Sequence, residues 1–206
     1  MSRLLEKNGG KVLVDDKEVT DWKSADLARN LSVLGQSNHF NIRLTIRELV
    51  SFGRFPYSQG KLTEEDEAII NQALDYMGIG DIQNKMIDEL SGGQQQMAYI
   101  AMIIAQDTQY ILLDEPLNNL DMKKSVSMMK ILEKLVRDFN KTILVVIHDI
   151  NYVSHYASYI VAFKEGKILR AGPREEIITS PMLSEIYDMQ INIEEINNEK
   201  VCVYFK

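Results

Sequence analysis

Two stretches in the second half of the chain, residues 110–116 (YILLDEP) and 142–149 (TILVVIHD), restrict the possible folds more than any other feature of it. Each begins as a strand-length apolar run without polar alternation, and a pattern of helical period runs between them from 121 or 122 to 139. Unbroken apolar runs mark strands covered on both faces, and strands separated by helices pair in parallel. After a helix expected over 150–156, YIVAFKEGKIL extends the same pattern. The chain is therefore expected to be α/β, with a mostly parallel sheet between helices.

The remaining segments fit around this frame. SRLLEKNGG has the form of the last turns of a helix, with Lys7 near its end and Gly9 and Gly10 as a stop. KVLVDD reads as a short strand, 26–30 as a helical turn, and LSVLG as a second short strand ending at Gln36. Between Thr45 and Met77 two helices are expected, separated by GRFPYSQG, with Thr63 capping the second. EEI and MLSEIYD read as short helices near the C-terminus, and INIEEI and KVCVYF as a closing hairpin through Asn197 and Asn198.

Residues 90–96 read LSGGQQQ and lead into an apolar helical pattern. Ser91 and Gln94 fit a capping box. Glycine inside a helix costs about 1 kcal/mol relative to alanine, so Gly92 and Gly93 make a poor first turn unless something must approach the backbone closely. An anion would qualify, because the unpaired N–H groups and the dipole of a helix N-terminus attract one. In open parallel sheets ligands bind beyond the carboxyl ends of strands, which is where Asp114 and Glu115 fall. Asp114 suits Mg²⁺, which takes one or two carboxylates beside water and phosphate oxygens. Glu115 suits a general base for an attacking water. A strand ending in a polar turn, or a helicase of the DExx kind, would carry the same pair. His148 ends the next strand and can donate to a terminal phosphate; Gln36 can accept from water and ligate a cation.

The bulk properties narrow the class. A 206-residue chain with 45% hydrophobic and 26% charged residues has the makings of one globular domain with room for subdomains. A net charge of -7 argues against a basic surface for nucleic acid. No apolar run approaches the roughly 18 residues a bilayer span needs, and the start lacks the regions of a signal peptide, so a cytoplasmic protein is expected. His39, His148, His155 and Cys202 lack zinc-site spacings, and no structural metal is expected. Cys202, in VCVYF, reads as a small core hydrophobe.

Taken in order, Gln36, LSGGQ, ILLDEP, NNLD and the histidine of VIHD resemble the ATP-binding subunits of ABC transporters, over essentially the whole chain. The resemblance implies a P-loop NTPase-like α/β domain over 1–206, with a helical signature subdomain at about 45–106. It implies ATP and Mg²⁺ as cofactors. Carried over by position, Gln36 is the Q-loop glutamine that touches Mg²⁺ and water, and Ser91, Gly92, Gly93 and Gln94 form the signature that meets ATP held by the other subunit. Asp114 is the Mg²⁺-associated aspartate, Glu115 the catalytic base, Asp121 the D-loop aspartate that crosses the dimer, and His148 the switch histidine. The implied partners are transmembrane permease subunits, a second copy of the ATPase subunit and, indirectly, a substrate-binding protein, with no nucleic acid. The implied location is peripheral, on the cytoplasmic face of the membrane. GRFPYSQG with TEEDEAI, LDEPLNNLDM, VIHDIN and the IYDM…VCVYF tail look most like subunits that drive ferric siderophore uptake, with haem and cobalamin importers similar. Arg54 and Tyr57 fall in the segment expected to dock the permease. The soluble ABC ATPases of translation or DNA repair fit less well, given one signature, no coiled-coil insertion and an acidic balance.

Two departures from the family pattern stand out. No G-x-x-x-x-G-K-[ST] occurs, although that loop cradles the β- and γ-phosphates. The chain is thus expected to lack the N-terminal strands and phosphate loop of the family, to bind ATP poorly by itself or to act as a non-catalytic binding module, and to leave an open edge beside 142–147. Met97 stands where the family often has arginine, removing a positive charge near the signature.

Overall fold

The computed structural model describes residues 3, 7–35 and 43–205, which form two compact units, Met1–Val146 and Ile147–Lys206. Gln36 and His39 lie outside the described residues, as do residues 2 and 4–6 of the segment expected to end a helix. The described residues of that segment, 3 and 7–10, form bends and irregular backbone rather than helix.

The first unit opens with a small antiparallel hairpin, β1 (Leu13–Val14) and β2 (Lys17–Glu18). Asp15 and Asp16 turn it with φ of 50° and 59°, the conformation that two-residue hairpin turns require. Helix α1 (Ser24–Asn30) leads into β3 (Leu31–Leu34). Next come α2 (Ile46–Ser51), a 3-10 turn over Phe52–Arg54, α3 (Phe55–Ser58) and α4 (Glu64–Tyr76). The segment GRFPYSQG is thus mostly helical itself. Pro56 sits at the start of α3, where its missing N–H costs nothing, and the break comes only at Gln59 and Gly60, both at positive φ. Thr45 and Thr63 each close a capping box, with Glu48 and Asp66.

Helix α5 (Gly92–Ala105) is the centre of this unit. Ala98, Ile100, Ala101, Ile103 and Ala105 are buried on nearly every side of it, packed against α2, α4 and β3. Strand β4 (Tyr110–Asp114), helix α6 (Met122–Phe139) and strand β5 (Thr142–Val146) complete the unit. The buried residues of α6, Ser125, Met128, Met129, Leu132 and Leu135, recur at helical spacing. Asn140 at φ 52° ends the helix in the left-handed conformation, and the Lys141 N–H reaches back to the Leu135 carbonyl.

The parallel sheet has the order β3-β4-β5, with Leu34 opposite Leu113 and Asp114 opposite Val146. Among the described residues β5 pairs with β4 alone. Burial alternates along β5, with Leu144 and Val146 each 46% exposed, so its continuous apolar run is covered less evenly than the sequence suggests.

Close packing inside this unit depends on Gly53. A side chain there would run into the Met102 carbonyl oxygen and lie 3.0 Å from the Gln106 nitrogen, backbone atoms at the end of α5 that cannot swing aside. Gly53→Ala is expected to destabilise the protein by about 1–3 kcal/mol, read as a lower urea midpoint at constant slope. An unchanged midpoint would show that the two segments separate freely.

In the second unit α7 (Ile150–Tyr156) is followed by β6 (Tyr159–Lys164) and β7 (Lys167–Pro173), which form an antiparallel pair turned at Glu165 and Gly166. The apolar pattern of this run predicts a place in the parallel sheet. The two positive-φ turn residues, φ 50° and 73°, instead fold it back on itself. Short helices α8 (Arg174–Ile177) and α9 (Ser180–Tyr187) precede the expected hairpin of β8 (Asn192–Ile196) and β9 (Glu199–Val203), turned by Asn197 and Asn198. Ile150, Ile178, Leu183, Ile191 and Cys202 form its core. Asn151 fixes α7 to β9 by accepting from the Cys202 N–H at 2.8 Å.

Candidate functional site

In the first unit the candidate residues converge on the N-terminus of α5 and on the loop that follows β4. Ser91 caps α5, with its hydroxyl accepting from the Gln94 N–H while the Gln94 side-chain oxygen accepts from the Ser91 N–H at 3.1 Å. The capping box and a bare glycine turn therefore coexist.

The two glycines differ in what they face. Gly93 is buried, and a Cβ there would lie 3.3 Å from the Asn119 carbonyl oxygen and 3.3 Å from the Lys124 ammonium. Its lack of a side chain lets the loop after β4 pack against the helix start. Gly92 is exposed and would meet only the Asn119 side chain, at 3.4 Å. Gly92 is the glycine whose backbone remains approachable from solvent, while Gly93 serves packing.

Asp114 ends β4 and is exposed at the carboxyl end of the parallel sheet. The next residue, Glu115, takes φ 50°, a left-handed conformation that costs a residue with a side chain about 1–2 kcal/mol. Its N–H donates to the Val146 carbonyl at 3.0 Å, extending the ladder by one bond. Its carboxylate accepts from the Asn118 side-chain amide at 2.5 Å. The Asn118 N–H donates to the Glu115 carbonyl and the Leu120 N–H to the Leu117 carbonyl, so the loop folds into tight turns. Asn119 also sits at positive φ, 65°. Asp121 then caps α6, accepting from the Lys124 N–H at 2.9 Å.

Three further residues belong to this site. Asn118 binds the Glu115 carboxylate, and Gln96 donates from α5 to the Pro116 carbonyl at 3.1 Å. Lys124, one turn into α6, brings its ammonium beside Gly93. A positive charge therefore stands near the signature despite Met97. The spacing of Asn118 from Glu115, three residues on in a turn-rich LNNL segment, was the available clue.

The donor set suits Mg²⁺ in a limited sense. Asp114 offers one exposed hard-oxygen ligand where a phosphate-bearing ligand would lie. Among the described residues no group of three or more His, Cys, Asp or Glu side chains is arranged to hold a metal. A cation there would complete its shell with water and phosphate oxygens. His148 belongs to the second unit, where it is exposed just before Asp149, the cap of α7.

One expected docking residue is placed differently. Arg54 is 5% exposed and its guanidinium donates to Asp66 at 2.8 Å and to the Ala105 carbonyl at 2.9 Å. It is an internal tie rather than a docking residue, because its donors are aimed inward at a buried carboxylate and a helix-end carbonyl. Tyr57 stacks on that guanidinium and stays 36% exposed, and Phe52 and Phe55, close to it in sequence, are exposed as well.

A family profile described as ABC transporter matches residues 1–118, more than half of the chain. The petrobactin import ATP-binding protein YclP of Bacillus subtilis (strain 168) is 59% identical over 205 residues, covering 100% of this chain and 81% of that protein. The petrobactin import ATP-binding protein FatE of Bacillus anthracis is 47% identical over 99% of this chain and 82% of its own length. Among solved structures, the dimeric post-hydrolysis state of the ATP-binding cassette MJ0796 bound to ADP and Pi aligns with a TM-score of 0.74 at 28% identity, over 84% of this chain and 77% of that one.

Proposed function

Since the chain belongs to the ABC transporter ATPase family, we propose that it is the ATP-binding subunit that couples ATP hydrolysis to import of an iron-siderophore complex through a membrane permease. The observation that carries this reading is the site in the first unit, where a capped glycine turn abuts a loop bearing Asp114, Glu115 and Asp121. The names of relatives at 59% and 47% identity support the choice of an iron-siderophore cargo.

In this reading Asp114 helps to hold Mg²⁺, which neutralises charge on the transferring phosphoryl group when bound. Glu115 orients an attacking water and accepts its proton. The Gly92 backbone and Ser91 receive the terminal phosphate of a nucleotide held by a second copy, using the free N–H groups of the helix start. Asp121 would cross to that copy, Gln36 would help to hold Mg²⁺ and sense the permease, and His148 would donate to the terminal phosphate. A dimeric relative supports the paired arrangement. The exposed Phe52, Phe55 and Tyr57 rings mark the docking surface for permease segments, in a helical subdomain at about 45–106 of a domain spanning 1–206. Among the described residues no helix is long and apolar enough to cross a membrane, and the association with the membrane is peripheral, through the permease.

Within the 206 residues no G-x-x-x-x-G-K-[ST] cradles the β- and γ-phosphates, so this chain alone holds Mg²⁺-ATP weakly. Calorimetric titration with Mg²⁺-ATP is the test, on this chain and on a form extended upstream by a phosphate loop. We expect binding only by the extended form. Equal, tight binding by both would mean that a different set of residues grips the nucleotide. Extended protein that binds ATP but fails to restore iron-siderophore uptake in a strain lacking the subunit would overturn the cargo.

A further inference from the structure

We propose that Gln96 is a positioning residue for Glu115, linking the signature end of α5 to the carboxylate loop of the same chain. This rests on the role given to Glu115 above. Glu115 and Asn119 both occupy left-handed backbone conformations, and a loop carrying two such residues needs outside contacts to hold it. The structure supplies them from α5. The Gln96 amide donates to the carbonyl of Pro116, the residue directly after Glu115, and Gly93 lets the Asn119 backbone rest against the first turn of the same helix. Within the loop Asn118 completes the link by holding the Glu115 carboxylate.

The consequence is mechanical. Ser91 to Gln94 lie on the same first turn and a half of helix as Gln96, so movement of that turn when a ligand or partner engages it carries the Pro116 carbonyl along. The direction of the Glu115 carboxylate then depends on whether the signature is engaged. Gln95 makes a matched control, because its amide donates to the Ile87 carbonyl at 2.8 Å instead.

The test uses the full chain without nucleotide, so its failure is separate from failure of the ATPase reading, which the titration and uptake measurements decide. The Glu115 carboxyl resonance is followed in ¹³C-glutamate-labelled protein, identified by its loss in Glu115→Gln, together with hydrogen exchange of the 115–121 peptide. In Gln96→Leu, and in Gln96→Glu, which keeps the volume and replaces the donor by an acceptor, the resonance moves and the peptide exchanges about tenfold faster. Gln95→Leu leaves both as in the parent, and the 98–105 peptide stays protected throughout. Two results would overturn the proposal: an unmoved resonance with unchanged exchange in both Gln96 variants, or equal changes in Gln95→Leu.

Discussion

Glu115→Gln, made in a chain extended to carry a phosphate loop, lowers steady-state ATP hydrolysis by roughly 10²- to 10⁴-fold, the usual contribution of a positioned general base, and leaves Mg²⁺-ATP binding nearly unchanged. Glutamine has almost the same shape, and its side-chain oxygen can still accept from the Asn118 amide, so the loop keeps its form. What is lost is the ability to take a proton. With Asp114 in its proposed role beside Mg²⁺, Asp114→Asn should behave differently, its effect passing through the cation and appearing as weaker Mg²⁺-dependent binding. Binding by calorimetry and hydrolysis by phosphate release separate the two. A fall of less than about tenfold on Glu115→Gln would remove the general-base role in its simple form.

The second large effect concerns folding. Arg54→Ala is expected to cost about 3–5 kcal/mol, because removing one partner of a buried ion pair leaves the other charge unpaired. Both side chains are only 6% exposed. The guanidinium also donates to the Ala105 carbonyl at the end of α5 and lies 4.0 Å from the Tyr57 ring, so the substitution strips three contacts at once. Asp66 is tied twice more, accepting from the Thr63 N–H at 2.9 Å and from its hydroxyl at 2.8 Å. Urea unfolding measures the loss, and a change under about 1 kcal/mol, the scale of an exposed pair, would mean that water reaches the site.

The same pair gives a pH dependence with a definite sign. The Asp66 carboxyl is held below the ordinary aspartate range, first by the Thr63 backbone N–H and then by the Arg54 guanidinium. A depressed carboxylate contributes its full stability above its unfolded pKa, about 3.9, and loses it as pH falls through the lower folded value. The parent should therefore weaken below about pH 4. Arg54→Ala should show a shallower acid limb without abolishing it, since the Thr63 donor remains.

The elements with their own signals were legible from the sequence. Helix α6 began at its Asp121 cap and ended before Asn140, and α7 occupied the expected 150–156. Cap chemistry and 3.6-residue spacing are local properties that a linear string carries in full. The same holds for the Asn197 and Asn198 turn and for the order of chemical groups from LSGGQ to ILLDEP, which sufficed for the family.

Tertiary structure decided matters that depend on approach between distant segments. It made YIVAFKEGKIL an antiparallel hairpin, because an apolar run has no direction until a turn gives it one. It turned Arg54 inward, since a charge is buried only where a fold brings it a partner, here Asp66 and the Ala105 carbonyl. It gave the two signature glycines separate tasks, and it joined Gln96 to Pro116. The linear chain carries which groups this protein has and in what order; the packing of α5 against the loop after β4 sets which of them hold the others in place, because a hydrogen bond across 20 residues of chain exists only once the sheet has set that loop beside the helix.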